Sequence, residues 1–184
     1  MAFWGAPVPN TQHALSCVRA AVDAQRAIRE LNDTRQAENQ RCEQENAARQ
    51  AAGQPPQPPL PLLALGTGIN TGLMIVGLMG SEAHLLNYTV FGREVNLASR
   101  LEGVSGRSRV LIGETTFREL QRDAPDLALT CRELEPVAVK GIRQKVKTYE
   151  VPWQANPIPV PDSAATEPQH EVPEQRSSVP KSPV

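Results

Sequence analysis

Apolar residues recur at helical spacing at Ala14, Leu15, Val18, Ala21, Val22, Ile28 and Leu31. This predicts an amphipathic helix that starts after Pro9, at Asn10 or Thr11. Before it, Met1 to Ala6 reads as the end of a buried strand, with Phe3 and Trp4 for bulk and Gly5 for a turn. Past Leu31 the apolar face ends. Residues 32–53 are almost wholly polar with interspersed alanine, so the helix is expected to project outward or fray there. The stretch Gln54 to Pro61 (Gln-Pro-Pro-Gln-Pro-Pro-Leu-Pro) must break it, because proline lacks an amide donor and forces extended neighbours. A plain Pro-rich linker over 54–61 is favoured there over a P-x-x-P ligand for a partner domain.

Leu62–Thr71 and Leu73–Met79 read as two strands of a hairpin, with Asn70-Thr71-Gly72 as the turn. A short strand is predicted over Tyr88–Phe91, a helix over Arg93–Val104 and a strand over Arg109–Ile112. A helix over Glu114–Leu120 would take Thr115 or Thr116 as a cap. Three more short strands are predicted at Leu129–Leu134, Val137–Lys140 and Lys147–Val151. From Pro152 the patterning stops: eight prolines fall in 33 residues, and no aromatic follows Trp153. Such a segment cannot bury enough surface to offset its ordering entropy, so residues 153–184 are expected to be a disordered tail. The remainder, 1–152, reads as one α+β domain.

Composition narrows the function classes. The 184 residues carry a formal net charge of −1, which offers no electrostatic argument for nucleic acid or an anionic membrane. No apolar run reaches bilayer length, and the N-terminus lacks the basic-then-apolar order of a signal peptide. Cys17, Cys42 and Cys131 are odd in number, far apart and without zinc-ligand spacing. They fit reduced, structural thiols in a cytoplasmic protein.

Candidate chemistry concentrates between Asn87 and Glu102. Asn96 and Arg100 stand four residues apart on the predicted helix, one turn apart on one face. A guanidinium suits phosphate oxygens and an amide suits a ribose oxygen. Polar residues on a helix face are more often simply solvated. Here Val95, Leu97, Ala98 and Leu101 make the rest of the helix apolar, which puts the pair near a buried or interfacial surface. Gly66-Thr-Gly-Ile-Asn-Thr-Gly72 lacks the Gly-Lys-Ser/Thr ending of a phosphate loop, so glycines that permit bends and close packing are the better reading. A lone lysine such as Lys140 is by itself a solvated charge.

The run Asn87-Tyr-Thr-Val-Phe-Gly-Arg-Glu-Val-Asn-Leu-Ala-Ser-Arg-Leu-Glu102, with Gly103 after it, resembles the signature of the class III nucleotide cyclases. Gly-Ile-Asn-Thr-Gly matches the same family's strand and turn beneath the nucleotide. The resemblance implies a ferredoxin-like α+β catalytic domain. It also implies that Asn96 orients the ribose and Arg100 stabilises the reacting phosphate, with Thr89 on the purine and Lys140 on the triphosphate. Threonine at that position favours ATP over GTP. Arg93 and Glu94 depart from the family's usual residues.

In this family two aspartates hold two Mg²⁺ or Mn²⁺ ions. Asp23, Asp33, Asp123, Asp126 and Asp162 match neither motif, so this chain alone is expected to hold no metal and to lack the domain's first strands. The implied partners are ATP and a second cyclase domain. The expectation is the C-terminal part of an adenylate cyclase, making cyclic AMP and pyrophosphate when complete and inactive alone. The alternatives are a non-catalytic partner donating Asn96 and Arg100 to an intact cyclase, or a non-functional remnant.

Overall fold

The computed structural model describes residues 1–80, 87–137 and 145–154. Helix α1 spans His13–Ala51, followed by strands β1 (Gly66–Ile69), β2 (Ile75–Met79) and β3 (Asn87–Phe91). Helix α2 (Arg93–Ser105), strand β4 (Arg109–Gly113) and helices α3 (Glu114–Asp123) and α4 (Pro125–Thr130) come next, and strands β5 (Arg132–Val137) and β6 (Val146–Val151) complete the order. The fold is α+β, as the patterning predicts.

Four strands form a mixed sheet in the order β1-β4-β6-β5, with β1 parallel to β4 and the other pairs antiparallel. β2 and β3 form a separate antiparallel ribbon, Ile75 opposite Phe91 and Met79 opposite Asn87. The expected hairpin between residues 62–71 and 73–79 is therefore wrong: its two strands exist but belong to different sheets. Among the described strands β1 pairs with β4 alone.

One sheet face carries Ile69, Val110, Ile112, Tyr149 and Val151 into a core with Leu15, Val18 and Val22 of α1 and Leu120 of α3. Phe117 stacks on Tyr149 at 3.8 Å between centroids. Trp153, placed in the expected tail, also packs into this core and donates its indole N–H to the Ser108 carbonyl at 2.8 Å. Gln25 is a buried polar residue of the apolar face; its amide donates to the Leu65 carbonyl at 2.7 Å, closing the connection into β1.

The opposite face of β1 is pressed by α2. A Cβ at Gly68 would overlap the Glu102 amide nitrogen and lie 2.5 Å from the Ala98 carbonyl, and one at Gly66 would lie 2.5 Å from Ser105 Oγ. Close packing, rather than a phosphate cradle, is what Gly66 and Gly68 provide.

Several boundaries differ from the patterning. Met1 to Ala6 forms no strand; Met1 is exposed, while Phe3 and Trp4 are half-buried, and Gly5 does turn the chain with φ +93°. Helix α1 begins at His13, preceded by an Asx turn in which Asn10 Oδ1 accepts from the Gln12 amide at 2.8 Å. Thr116 does not cap α3; fully buried, it shares a hydrogen bond with Thr71 at 3.0 Å. The strand expected at 129–134 begins only at Arg132, because Pro125 opens the short helix α4 and Ala128 packs into the core. Residues 138–144, with most of the strand expected at 137–140, and residues 155–184, with nearly all of the expected tail, lie outside the described residues. No helix of the described residues is long and apolar enough to cross a membrane.

Helix α1 does not fray after Leu31. It runs on to Ala51, and the proline-rich segment doubles back along it. Asn32, Asn39 and Asn46 each grip one residue of that segment with both ends of the amide. The Asn32 amide donates to the Leu63 carbonyl at 2.7 Å while its oxygen accepts from the Leu63 N–H at 2.8 Å. Asn39 does the same with Leu60 at 2.9 and 2.6 Å, and Asn46 with Gln57 at 2.8 and 2.7 Å. Arg35 and Arg49 add bonds to the carbonyls of Pro61 and Pro55 at 2.6 and 3.1 Å. Prolines supply no N–H to such a ladder, so the rungs fall on Gln57, Leu60 and Leu63.

Candidate functional site

Strand β3 passes through Gly92, at φ +148°, straight into α2, and the Gly92 carbonyl accepts the Asn96 amide at 3.2 Å. The first turn of α2 is clamped from β1. Asn70, at the strand's end, donates to Glu94 Oε2 at 2.7 Å and to the Glu94 carbonyl at 3.3 Å. The Glu94 side chain also occupies the space above Gly72, where a Cβ would lie 2.5 Å from its Cγ. A carboxylate in the first turn faces the positive end of the helix dipole. The residues expected to form a hairpin turn thus position the helix that carries the candidate pair. Glu94 is thus the hydrogen-bond partner of Asn70.

On α2, Leu101 is fully buried and Val95 and Ala98 are half-buried. Asn96 is exposed and Arg100 half-buried on the same side, one turn apart. Neither side chain makes a hydrogen bond or ion pair with another described residue, so an amide and a guanidinium are both available to a ligand. Thr89 is half-buried on β3, opposite Gly77 of β2. No atom lies within 4 Å of where a Gly77 Cβ would stand, so the space beside Thr89 is open. Lys140 lies outside the described residues.

A cavity of about 310 Å³ opens on the other side of these elements, lined by Phe3, Trp4, Ile69, Val90, Val95 and Ala98 among others. Thr89, Asn96 and Arg100 do not line it. The three therefore lie along one strand–turn–helix unit, outside this cavity. Phe3 meets Tyr88 at 5.9 Å between ring centroids, which holds the N-terminal segment against the ribbon.

Among the described residues no group of three or more His, Cys, Asp or Glu is placed to hold a metal ion. Burial pushes the thiols of Cys17 and Cys131 up to about 11, so both are protonated and unreactive at neutral pH. A charge cluster on the sheet is structural in role: Arg109 donates to both oxygens of Glu150 at 2.9 and 3.0 Å, and Arg132 joins them. The Arg109 hydrogen bonds, with help from Arg132, hold the Glu150 carboxyl below its ordinary range.

Comparison with known proteins identifies the family and the fold. The sequence model of the adenylate and guanylate cyclase catalytic domain matches residues 1–152. Adenylate cyclase 1 of Rhizobium meliloti is 36% identical over 104 residues, covering 56% of this chain and 12% of that protein. The terminal-differentiation-specific adenylate cyclase of Dictyostelium discoideum is 38% identical over 88 residues, covering 47% of this chain and 4% of its own length. The chain thus spans a small part of these relatives. The adenylyl cyclase CyaB of P. aeruginosa superposes with a TM-score of 0.56 at 28% identity, covering 81% of this chain and 64% of that one. The guanylate cyclase domain of RhGC from Catenaria anguillulae, solved with GTP, shares the fold with a TM-score of 0.58 at 23% identity, covering 80% and 64%.

Proposed function

Because the chain belongs to the family of adenylate and guanylate cyclase catalytic domains, we propose that it supplies the ribose, phosphate and purine contacts of an adenylate cyclase site shared with a second cyclase domain. The observation that carries this is the placement of Asn96 and Arg100. They are uncommitted and one turn apart, Asn96 exposed and Arg100 half-buried, on a helix whose start is locked by Asn70 and Glu94. A site completed by a partner requires such outward presentation; a site closed within one chain would place the pair in the cavity.

In the reaction the ribose 3′-oxygen forms a bond to the α-phosphorus while the bond from that phosphorus to the bridging oxygen of pyrophosphate breaks. The 3′-hydroxyl proton passes to solvent water, and pyrophosphate carries away the bonding electrons. Asn96 would hold the ribose so that its 3′-oxygen meets phosphorus in line. Arg100 would stabilise the charge that grows on the phosphate oxygens in the transition state. Thr89, with open space beside it, would donate and accept at the purine edge, and Lys140 would meet the triphosphate. Among the described residues no group of three or more His, Cys, Asp or Glu is placed to hold a metal ion, and none of the chain's aspartates matches the family's two metal-binding motifs. Those contacts are therefore assigned to groups outside this chain's described residues, and this chain alone is expected to produce no cyclic AMP.

The test is complementation. Purified chain, shown by circular dichroism to be folded, is mixed with a cyclase domain that retains its metal carboxylates but lacks its own transition-state arginine. Cyclic AMP formation should appear on mixing and fall about 10²–10³-fold when the added chain carries Arg100→Ala. Asn96→Ala should also lower the rate while leaving the unfolding midpoint unchanged. Folded chain that gives no rescue at any ratio would sink the proposal.

A further inference from the structure

The double-ended asparagine ladder does more than tether the proline-rich segment. It faces every third residue of that segment, Gln57, Leu60 and Leu63, toward α1. One face repeating every three residues is the periodicity of polyproline II, the conformation that the five prolines of residues 55–61 favour. The dimensions agree: seven helical residues rise about 10.5 Å, and three polyproline II residues about 9.3 Å.

This register leaves two other edges, Pro55-Pro58-Pro61 and Pro56-Pro59-Leu62. All six residues are exposed and all six are apolar. The backbone groups of Gln57, Leu60 and Leu63 are turned toward α1, although these residues too are exposed. Hydrogen bonds from α1 occupy the carbonyls of Pro55, Gln57, Leu60, Pro61 and Leu63. Those of Pro56, Pro58 and Pro59 accept from no described residue, so they remain for an incoming donor. A spacer would need neither a fixed register nor an all-apolar outer edge.

We propose that this outer edge is a preorganised docking ridge for a partner domain with an aromatic-lined, polyproline-binding groove. Such grooves take adjacent proline pairs between aromatic rings and donate hydrogen bonds to the carbonyls between them. Residues 54–63 carry no charge, so the contact is apolar packing plus carbonyl hydrogen bonds. The ladder fixes the ridge during folding of the chain, which lowers the ordering entropy left to be lost on binding. The ridge stands apart from Asn96 and Arg100 in the sequence and is independent of the cyclase reading.

The test uses the full chain and a panel of purified SH3, WW and EVH1 domains, titrated by calorimetry. At least one domain should bind, with an affinity that changes little between about 0.1 and 0.5 M salt. The double variant Pro58→Ala/Pro59→Ala removes one proline from each edge but leaves all three rungs, and should weaken that binding about tenfold or more. The triple variant Asn32→Ala/Asn39→Ala/Asn46→Ala should weaken it to the level of a free peptide of residues 54–63. Circular dichroism and the unfolding midpoint report whether each variant keeps its core, whose α1 residues all lie between Ala14 and Gln25. The proposal is overturned if no panel domain binds, if the proline variant binds as well as the parent, or if the free peptide binds as tightly as the full chain.

Discussion

Residues 14–25 of α1 and residues 32–49 of the same helix are held in place by opposite means. The first stretch buries Ala14, Leu15, Val18 and Val22 against the sheet and α3, with Gln25 bonded into the connection before β1. The second buries nothing fully. It is held by paired amide hydrogen bonds to a strip of backbone that has itself lost many of its N–H groups to proline. Apolar burial is indifferent to direction and couples the helix to the whole domain. The amide ladder is directional, local and exposed to water, so it fixes register without adding much to global stability.

That contrast can be broken in graded ways. Leu15→Ala deletes a buried side chain from the core and should lower the free energy of unfolding by about 2–5 kcal/mol, seen as a shift in the urea midpoint of the whole domain. Asn39→Ala removes the central rung, two hydrogen bonds, and should cost about 1–2 kcal/mol. Its effect should appear as faster amide exchange at Leu60 and its neighbours, with the global midpoint nearly unmoved. If Asn39→Ala shifts the global midpoint as far as Leu15→Ala does, the two stretches are one cooperative unit and the distinction fails.

The smallest effect concerns pH and sets a polar contact of the sheet against both. Glu150 is held below its ordinary carboxyl range by Arg109 first and Arg132 second. A lowered folded value means that the native state binds this proton less readily than the unfolded chain does. Its stabilisation is therefore complete above the ordinary glutamate value of about 4.3 and is lost as pH falls from there through the lower folded value. Glu150→Gln should flatten that part of the acid limb in unfolding curves, while amide protection at Gln57, Leu60 and Leu63 follows the parent's pH dependence.

The elements built on regular patterning were legible in the sequence. β3, α2, β4, α3 and β6 fall within a residue or a few of their predicted ends, and the apolar face of α1 holds through Val22. What escaped depends on pairing across long sequence separations. Nothing local to Leu62–Met79 states that β1 will join β4, about forty residues on, because a strand's hydrophobic pattern does not name its neighbour. The polar half of α1 looked unsupported because its support is backbone rather than apolar side chain. The seven-residue repeat of asparagine opposite a three-residue repeat within the prolines was the available signal. At the candidate site, the placement of Asn96 and Arg100 on one helix was readable from spacing. The Asn70–Glu94 clamp was hidden, since it joins residues 24 positions apart.

The three rungs join residues 31, 21 and 11 positions apart. Each rung outward thus shortens the loop by ten residues, seven taken from the helix and three from the returning strip. Length in this arm is quantised. An insertion of two or five residues between rungs would turn an asparagine off the shared face or a carbonyl away from it, whereas ten divided seven and three adds one complete step. The small difference in rise, about 1.2 Å per step, accumulates like a vernier. It limits how many steps can stay aligned before the two strands must coil around each other. The arm therefore has a built-in ruler, by which its reach could be lengthened or shortened without rewriting the domain beneath it.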